Sequence, residues 1–290
     1  MRNYSNTLLP IAFVLAAMAS VQMGASIAKT MFPVVGPVGM VALRIALGTI
    51  VLCLIMRPWR AKLTAENWRP LLVYGITLGV MNLLYYLSLN RVPLGIVVAI
   101  EFIGPLAVAV FSSRRVVDFF WIVLAVAGLL LLLPIGHVGV GIDPMGGLLA
   151  LGAGGGWALY IIYGQKAGAD HGTQSVALGS LISALLVVPI GFFDRGTALL
   201  SPSILLPGLA VGILSTALPY TLEMYALTRL PARTFGILMS IEPAFGALIG
   251  VVYLHEWLTS VQWIAIASII VASIGATISA RQPAATVASE

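Results

Sequence analysis

Long apolar runs separated by short polar breaks organise this chain from end to end. The runs are continuous and lack the alternation of a barrel strand, so they read as helices. About 20 mostly apolar residues cross a hydrocarbon layer as a helix. On that length the pattern predicts ten spans, at roughly 8–28, 38–56, 71–90, 94–112, 119–136, 145–163, 174–193, 203–226, 234–254 and 260–279. The breaks carry turn chemistry: RPW at 57–59, IDP at 142–144, DRG at 194–196 and SPS at 201–203. The opening MRNYSNTLLPIAFVLAAMAS has the basic start, apolar core and AMA site of a signal peptide. Its apolar run continues past that site, as a retained first span does.

Composition agrees with the pattern. Of 290 residues, 60% are hydrophobic and 9% charged, and the mean hydropathy is +1.06. Soluble domains carry about 25% charged residues. One soluble core of this length would leave too little wettable surface, whereas a bilayer removes that demand. The expected class is therefore an all-α membrane protein. The net charge of +5 does not point to nucleic acid, because the basic residues lie in the breaks. The single cysteine, Cys53, forms no internal disulfide and reads as a small packing residue.

Basic residues orient the spans. With the N-terminus in the cytoplasm, the inner side holds Arg2, Arg57, Arg60, Lys62, Arg69, Arg114, Arg115, Lys166, Arg229, Arg233 and Arg281. The outer side holds only Lys29, Arg91 and Arg195. Ten crossings return the C-terminus to the cytoplasm, with 282–290 as a disordered tail.

A repeat lies beneath this arrangement. At an offset of 138 residues Arg91-Val92-Pro93 falls on Arg229-Leu230-Pro231, Pro105 on Pro243, and Asp118 on Glu256. The expected division is a first five-helix repeat over 1–138 and a second over 139–281. Five spans each give the halves opposite orientation. Inverted-topology repeats place substrate near mid-depth between the halves and support alternating access. Pro105 and Pro243 are expected to interrupt spans four and nine, since proline removes a helical hydrogen bond and frees the carbonyl four residues earlier. Those carbonyls belong to Glu101 and Met239.

Charges inside such spans cost at least roughly 2.5–3.5 kcal/mol each and mark functional positions. Arg44, Glu101 and Glu242 stand close to the centres of their spans, and Glu223 lies towards the inner end of span eight. Each is expected to face the bundle interior or a wet cavity. Arginine's planar fork suits a carboxylate; a glutamate suits an ammonium group or a proton. The alternative is a structural Arg–Glu pair that fixes packing. Asn82, Tyr85, Tyr86 and Tyr220 are neutral candidates for the same cavity, with Gln22 and Ser26 from span one. Lys29 reads as a residue reaching the outer interface. Gly75 and Gly79, Gly152 and Gly156, and Gly246 and Gly250 make small faces for close helix approach.

Enzyme readings find little support. His137, His171 and His255 have no metal spacing, and Thr259 stands where His255-Glu256 would need a second histidine to complete HExxH. Gly152-Ala-Gly-Gly-Gly-Trp157 lacks the glycine pattern and the preceding strand of a dinucleotide loop. No catalytic residue and no metal ligand is assigned.

Several blocks resemble the drug/metabolite transporter superfamily in its EamA-type branch, most closely its bacterial inner-membrane threonine/homoserine exporters. They are MASVQMGASIAK at 18–29, VALRIALGT at 41–49, VPLGIVVAIEFIGPLAVAVFSSRR at 92–115, LALGAGGGWALYI at 149–161 and LSTALPYTLEMYALTRLPARTFGILMSIEPA at 214–244. The resemblance runs from about residue 10 to 280. It implies ten helices in two inverted repeats, no tightly bound cofactor, a multi-pass protein of the inner membrane, and efflux of small neutral amino acids. Proton exchange on a buried carboxylate would couple that efflux to the proton gradient. The competing readings are a carrier of another small solute and, more remotely, a membrane-embedded enzyme.

Overall fold

The computed structural model describes residues 5–61, 68–111, 116–132, 143–172, 174–227, 238–239 and 241–279. Among them every regular element is helical. Helix α1 (Ser5–Met56) is two helical segments joined at Gly36. Then follow α2 (Trp68–Leu89), α3 (Leu94–Glu101), α4 (Ile103–Phe111), α5 (Val116–Leu132), α6 (Pro144–His171) and α7 (Gln174–Arg195). A π-helical turn (Ile213–Ala217) joins α8 (Pro202–Gly212) to α9 (Leu218–Leu227), and α10 (Glu242–Leu254) and α11 (Ser260–Ser279) end the described chain. Among the described residues five helices are long and apolar enough to cross a membrane, and this is a multi-pass membrane protein.

The first reversal is tighter than its sequence suggests. Residues 29–35, expected to form a loop, continue the first helical segment, and the break falls at Gly36 alone (φ 69°, ψ 164°). A side chain at that φ would be strained, so glycine localises the break, and Pro37 withholds the next amide. The Arg195 guanidinium packs against Gly36, where a Cβ would come within 2.4 Å of it.

Interhelical contacts follow from small residues. Gly48 of α1 faces Gly212 and Thr216, and a Cβ on Gly48 would lie 2.8 Å from the Gly212 carbonyl. Gly95 of α3 crosses α10 at Ala247, while Gly75 and Gly79 of α2 admit Ile182 and Ser183 of α7. The glycine run of α6 is a packing face: Gly152 and Gly156 meet Leu84 and Met81 of α2, and Gly154 meets the Glu101 carbonyl. Such faces let backbones approach closely where the hydrophobic effect gives little drive between helices. The main pairings are α2 with α6 and α7, α1 with α7, α8 and α9, α3 with α10, and α5 with α11.

One end of the bundle carries ion pairs. Lys29 bonds Glu256 Oε1 at 2.6 Å and the Val92 carbonyl at 3.0 Å, while Glu256 Oε2 accepts from the Leu94 amide at 2.8 Å. Lys29 is thus a clasp between chain segments rather than a free interfacial lysine; its partner lies 227 residues away and no local pattern announces it. His255, at φ 55°, closes α10, and the Glu256 amide bonds back to the Gly250 carbonyl at 3.0 Å, which turns the carboxylate towards α3. At the same end Arg91 pairs with Asp143 at 2.8 Å; this neighbour and the Met145 amide hold the Asp143 carboxyl below its usual range. Arg2, Lys62, Arg114, Arg115, Arg229, Arg233, Arg281, the Arg229-Leu230-Pro231 match and the 282–290 tail lie outside the described residues.

Candidate functional site

Proline makes the local irregularities that build the polar centre. In span four the helix is interrupted at Phe102, between α3 and α4, one turn before Pro105. Pro105 has no amide to offer the Glu101 carbonyl, and that carbonyl rests against Gly154 of α6. Glu101 therefore sits on the last turn of α3, 7% exposed. In span nine Pro243 occupies the first turn of α10, where a missing amide costs least, and Glu242 begins the helix, also 7% exposed. Residues 238–239 before it are helical and the chain turns at Ile241, so Pro243, like Pro105, stands in the first turn after an interruption of its span.

A third proline acts the same way and was not singled out in the sequence. Pro219 follows the π turn. In a π segment its amide would serve the Leu214 carbonyl, and in an α segment the Ser215 carbonyl. Having no amide, it can serve neither. Side chains of α1 take them: Ser20 Oγ donates to the Leu214 carbonyl at 2.6 Å, and Arg44 to the Ser215 carbonyl at 3.4 Å. The signal was present as a proline inside span eight.

Arg44 is 4% exposed. Its guanidinium donates to Asn82 Oδ1 and to the Ser215 carbonyl, and stacks 5.1 Å over the Tyr86 ring. Asn82 is oriented in turn by its amide, which donates to the Leu78 carbonyl at 2.7 Å. Arg44 Nε has no hydrogen-bond partner, and among the described residues no carboxylate comes within ion-pairing distance of the guanidinium. Among the described residues Arg44 is therefore not held in a structural pair with a glutamate.

The acids nevertheless share the region. Glu101 lies in the fields of Glu242 and Arg44. The Tyr85 hydroxyl lies within electrostatic range of Glu101, Tyr86, Glu242 and Arg44. Gln22 Nε2 donates to Glu242 Oε1 at 3.2 Å, and Glu242 Oε2 has no partner. Ser26 turns to its own helix, bonding the Gln22 carbonyl at 2.9 Å. Half-buried Glu223 extends the cluster along α9 towards Tyr220, Tyr74 and Tyr160. Arg44, Asn82, Tyr85, Glu101, Tyr220, Glu223 and Glu242 thus gather in one polar region.

Beside Arg44 lies a small hollow, with an empty volume of about 180 Å³ counting its open mouth. The room at its centre suits about one water. Arg44, Ile45, Thr49, Leu78, Asn82, Ser180, Ser183, Thr216 and Tyr220 line it. The serines and threonines escaped the sequence reading because hydroxyls barely alter the hydropathy of a span. Chemically, the region offers one fixed cation and several carboxylates that do not neutralise it, which complements a small solute bearing both charges.

Comparisons with known proteins agree on a carrier. The profile of the EamA-like transporter family matches residues 144–278. The threonine/homoserine exporter RhtA of Escherichia coli K12 is 58% identical over 274 residues, 94% of this chain and 93% of that one. RhtA of Salmonella typhimurium LT2 matches with the same identity and coverage. The uncharacterized transporter YwfM of Bacillus subtilis 168 is 30% identical over 80% of this chain and 81% of its own. A solved crystal structure of a protein, 22% identical, covers 97% of this chain and 99% of that one with a TM-score of 0.66, a likeness of fold. On this similarity, spread over nearly its whole length, the chain belongs to the EamA-like transporter family.

Proposed function

We propose that this protein exports small neutral amino acids of the threonine and homoserine kind across the bacterial inner membrane. The observation that carries the reading is Arg44: buried, without an acid partner among the described residues, yet in the same polar region as Glu101 and Glu242. A zwitterion supplies the missing partners. Its carboxylate takes the guanidinium, including the free Nε, and its ammonium lies against Glu242 and Glu101. The relatives named for threonine and homoserine export support that cargo.

Transport follows by alternating access between two oppositely inserted five-helix halves, with both termini cytoplasmic. The packing supports such a two-fold relation. The contact of α2 with α6 is answered by that of the first segment of α1 with the π turn and α9, at Ser20–Leu214 and Phe13–Tyr225, and α3–α10 and α5–α11 pair a span with its counterpart. The family profile over 144–278 coincides with the second half. Proton exchange at Glu101, Glu223 or Glu242 couples efflux to the proton gradient, because an acid released from its ammonium partner is free to take a proton.

The test is uptake of labelled threonine into inside-out vesicles, with and without an imposed pH gradient. Wild-type vesicles are expected to accumulate threonine, more so with the gradient. Arg44→Gln and Glu242→Gln are each expected to lower uptake at least roughly tenfold, the worth of one charge-assisted hydrogen bond. Unchanged uptake in both variants, at normal protein levels, would defeat the assignment.

A further inference from the structure

The hollow beside Arg44 contains more hydrogen-bonding capacity than the protein itself uses. Ser180, Ser183 and Thr216 are 2%, 1% and 3% exposed, and the side-chain oxygen of each lacks a hydrogen-bond partner among the described residues. All three line the same small space. A buried hydroxyl left unpaired is unfavourable, so such groups normally have partners. Three around one hollow indicate something that comes and goes. Room at the centre for about one water is also room for one hydroxyl group. The wall is not wholly polar: Ile45 and Leu78 complete it, giving a methyl group an apolar contact.

Resting on the amino-acid reading above, we infer that this hollow is the specificity subsite for the substrate's side-chain hydroxyl. With the carboxylate on Arg44, the side chain of a β- or γ-hydroxy amino acid enters the slot between α1, α2, α7 and the π turn. Its oxygen bonds to Ser180, Ser183 and Thr216, each of which donates or accepts as the solute requires. The π turn contributes directly, because it delivers Thr216 to the slot beside the Ser215 carbonyl that holds Arg44. Carboxylate recognition and hydroxyl recognition thus share one irregular turn. A site of this kind discriminates strongly against the analogue lacking the hydroxyl, since that analogue displaces water without replacing its hydrogen bonds.

Threonine and valine differ by a hydroxyl in place of a methyl and are the probes. Uptake of each into inside-out vesicles gives a threonine-to-valine ratio of initial rates. Wild-type protein is expected to favour threonine. Ser180→Ala with Ser183→Ala is expected to lower the ratio at least roughly tenfold, about the effect of losing one to two buried hydrogen bonds. Thr216→Val keeps the side chain's shape and its packing on Gly48, so folding is conserved, and it is expected to lower the ratio in the same direction. An unchanged ratio in Thr216→Val, with threonine still transported, would overturn the inference: the hydroxyls would then serve a structural water only. Movement of neither amino acid by the wild type would instead defeat the amino-acid reading, and the subsite with it.

Discussion

A guanidinium held, among the described residues, by neutral groups is the residue-scale fact on which function turns. Arg44 is fixed by Asn82, the Ser215 carbonyl and the Tyr86 face, a combination that needs a planar fork with several donors. Lysine keeps the charge but cannot make these contacts together. Arg44→Lys is therefore expected to lose threonine efflux by roughly tenfold or more, a loss of one to two charge-assisted contacts. Efflux from preloaded cells, normalised to protein level, measures it; full activity would show that charge alone suffices. Tyr85 gives a second expectation. Its hydroxyl lies within electrostatic range of Arg44, Glu101 and Glu242, so Tyr85→Phe is expected to alter threonine affinity with little change in thermal stability. Arg44, Glu101 and Glu242 were legible in the sequence because an ionised group in an apolar run is conspicuous. Ser180, Ser183 and Thr216 were not, because nothing in a span's hydropathy separates a cavity hydroxyl from one bonded to its own helix, as Ser26 is.

Helices here are shaped by what their prolines and glycines lack. The break predicted from Pro105 falls at Phe102, as expected of a residue that withdraws a hydrogen bond one turn back. Pro243 likewise follows a turn, at Ile241, with helical residues 238–239 before it. Pro219 leaves two carbonyls open to Ser20 and Arg44. Pro219→Ala restores an amide that competes for the Ser215 carbonyl. The expected outcome is a well-folded protein with impaired threonine transport, read by paired efflux and thermal unfolding in detergent. Gly154 behaves in the opposite way. A Cβ there would come 2.6 Å from the Glu101 carbonyl, so Gly154→Val forces α6 away from the break. Overpacking of this kind costs about 1–3 kcal/mol. It is expected to appear as a lowered unfolding temperature as well as lost transport. Both approaches are between distant segments, so the sequence identified a glycine-rich packing face without naming what it meets.

At the scale of the molecule, the two ends of the bundle are packed differently. Towards the Lys29 end one continuous core joins Phe32, Tyr86, Leu89, Val92, Leu94 and Ala247. Towards the Arg57 end the described buried apolar residues fall into separate groups, around Val14 and Met18, around Leu52 and Val176, and around Leu71 and Tyr74. With the proposed orientation, the described residues join in one core towards the outside and in separate groups towards the cytoplasm, the side from which an exporter takes its cargo. The Lys29–Glu256 pair, bonded also to the backbone at Val92 and Leu94, ties α1, α3 and the turn after α10 across the outer end. Opening outwards must part these segments, so removing the charge at Lys29 should favour the outward state. A cysteine at Ala25, now 1% exposed within that core, reports on that opening. In a Cys53→Ser background, Ala25→Cys is expected to react slowly with a membrane-impermeant maleimide added from outside. Adding Lys29→Met is expected to speed labelling severalfold, with threonine efflux reduced because the inward-facing loading state is less populated. Labelling that stays slow while the protein remains folded would mean the clasp braces the end without gating it.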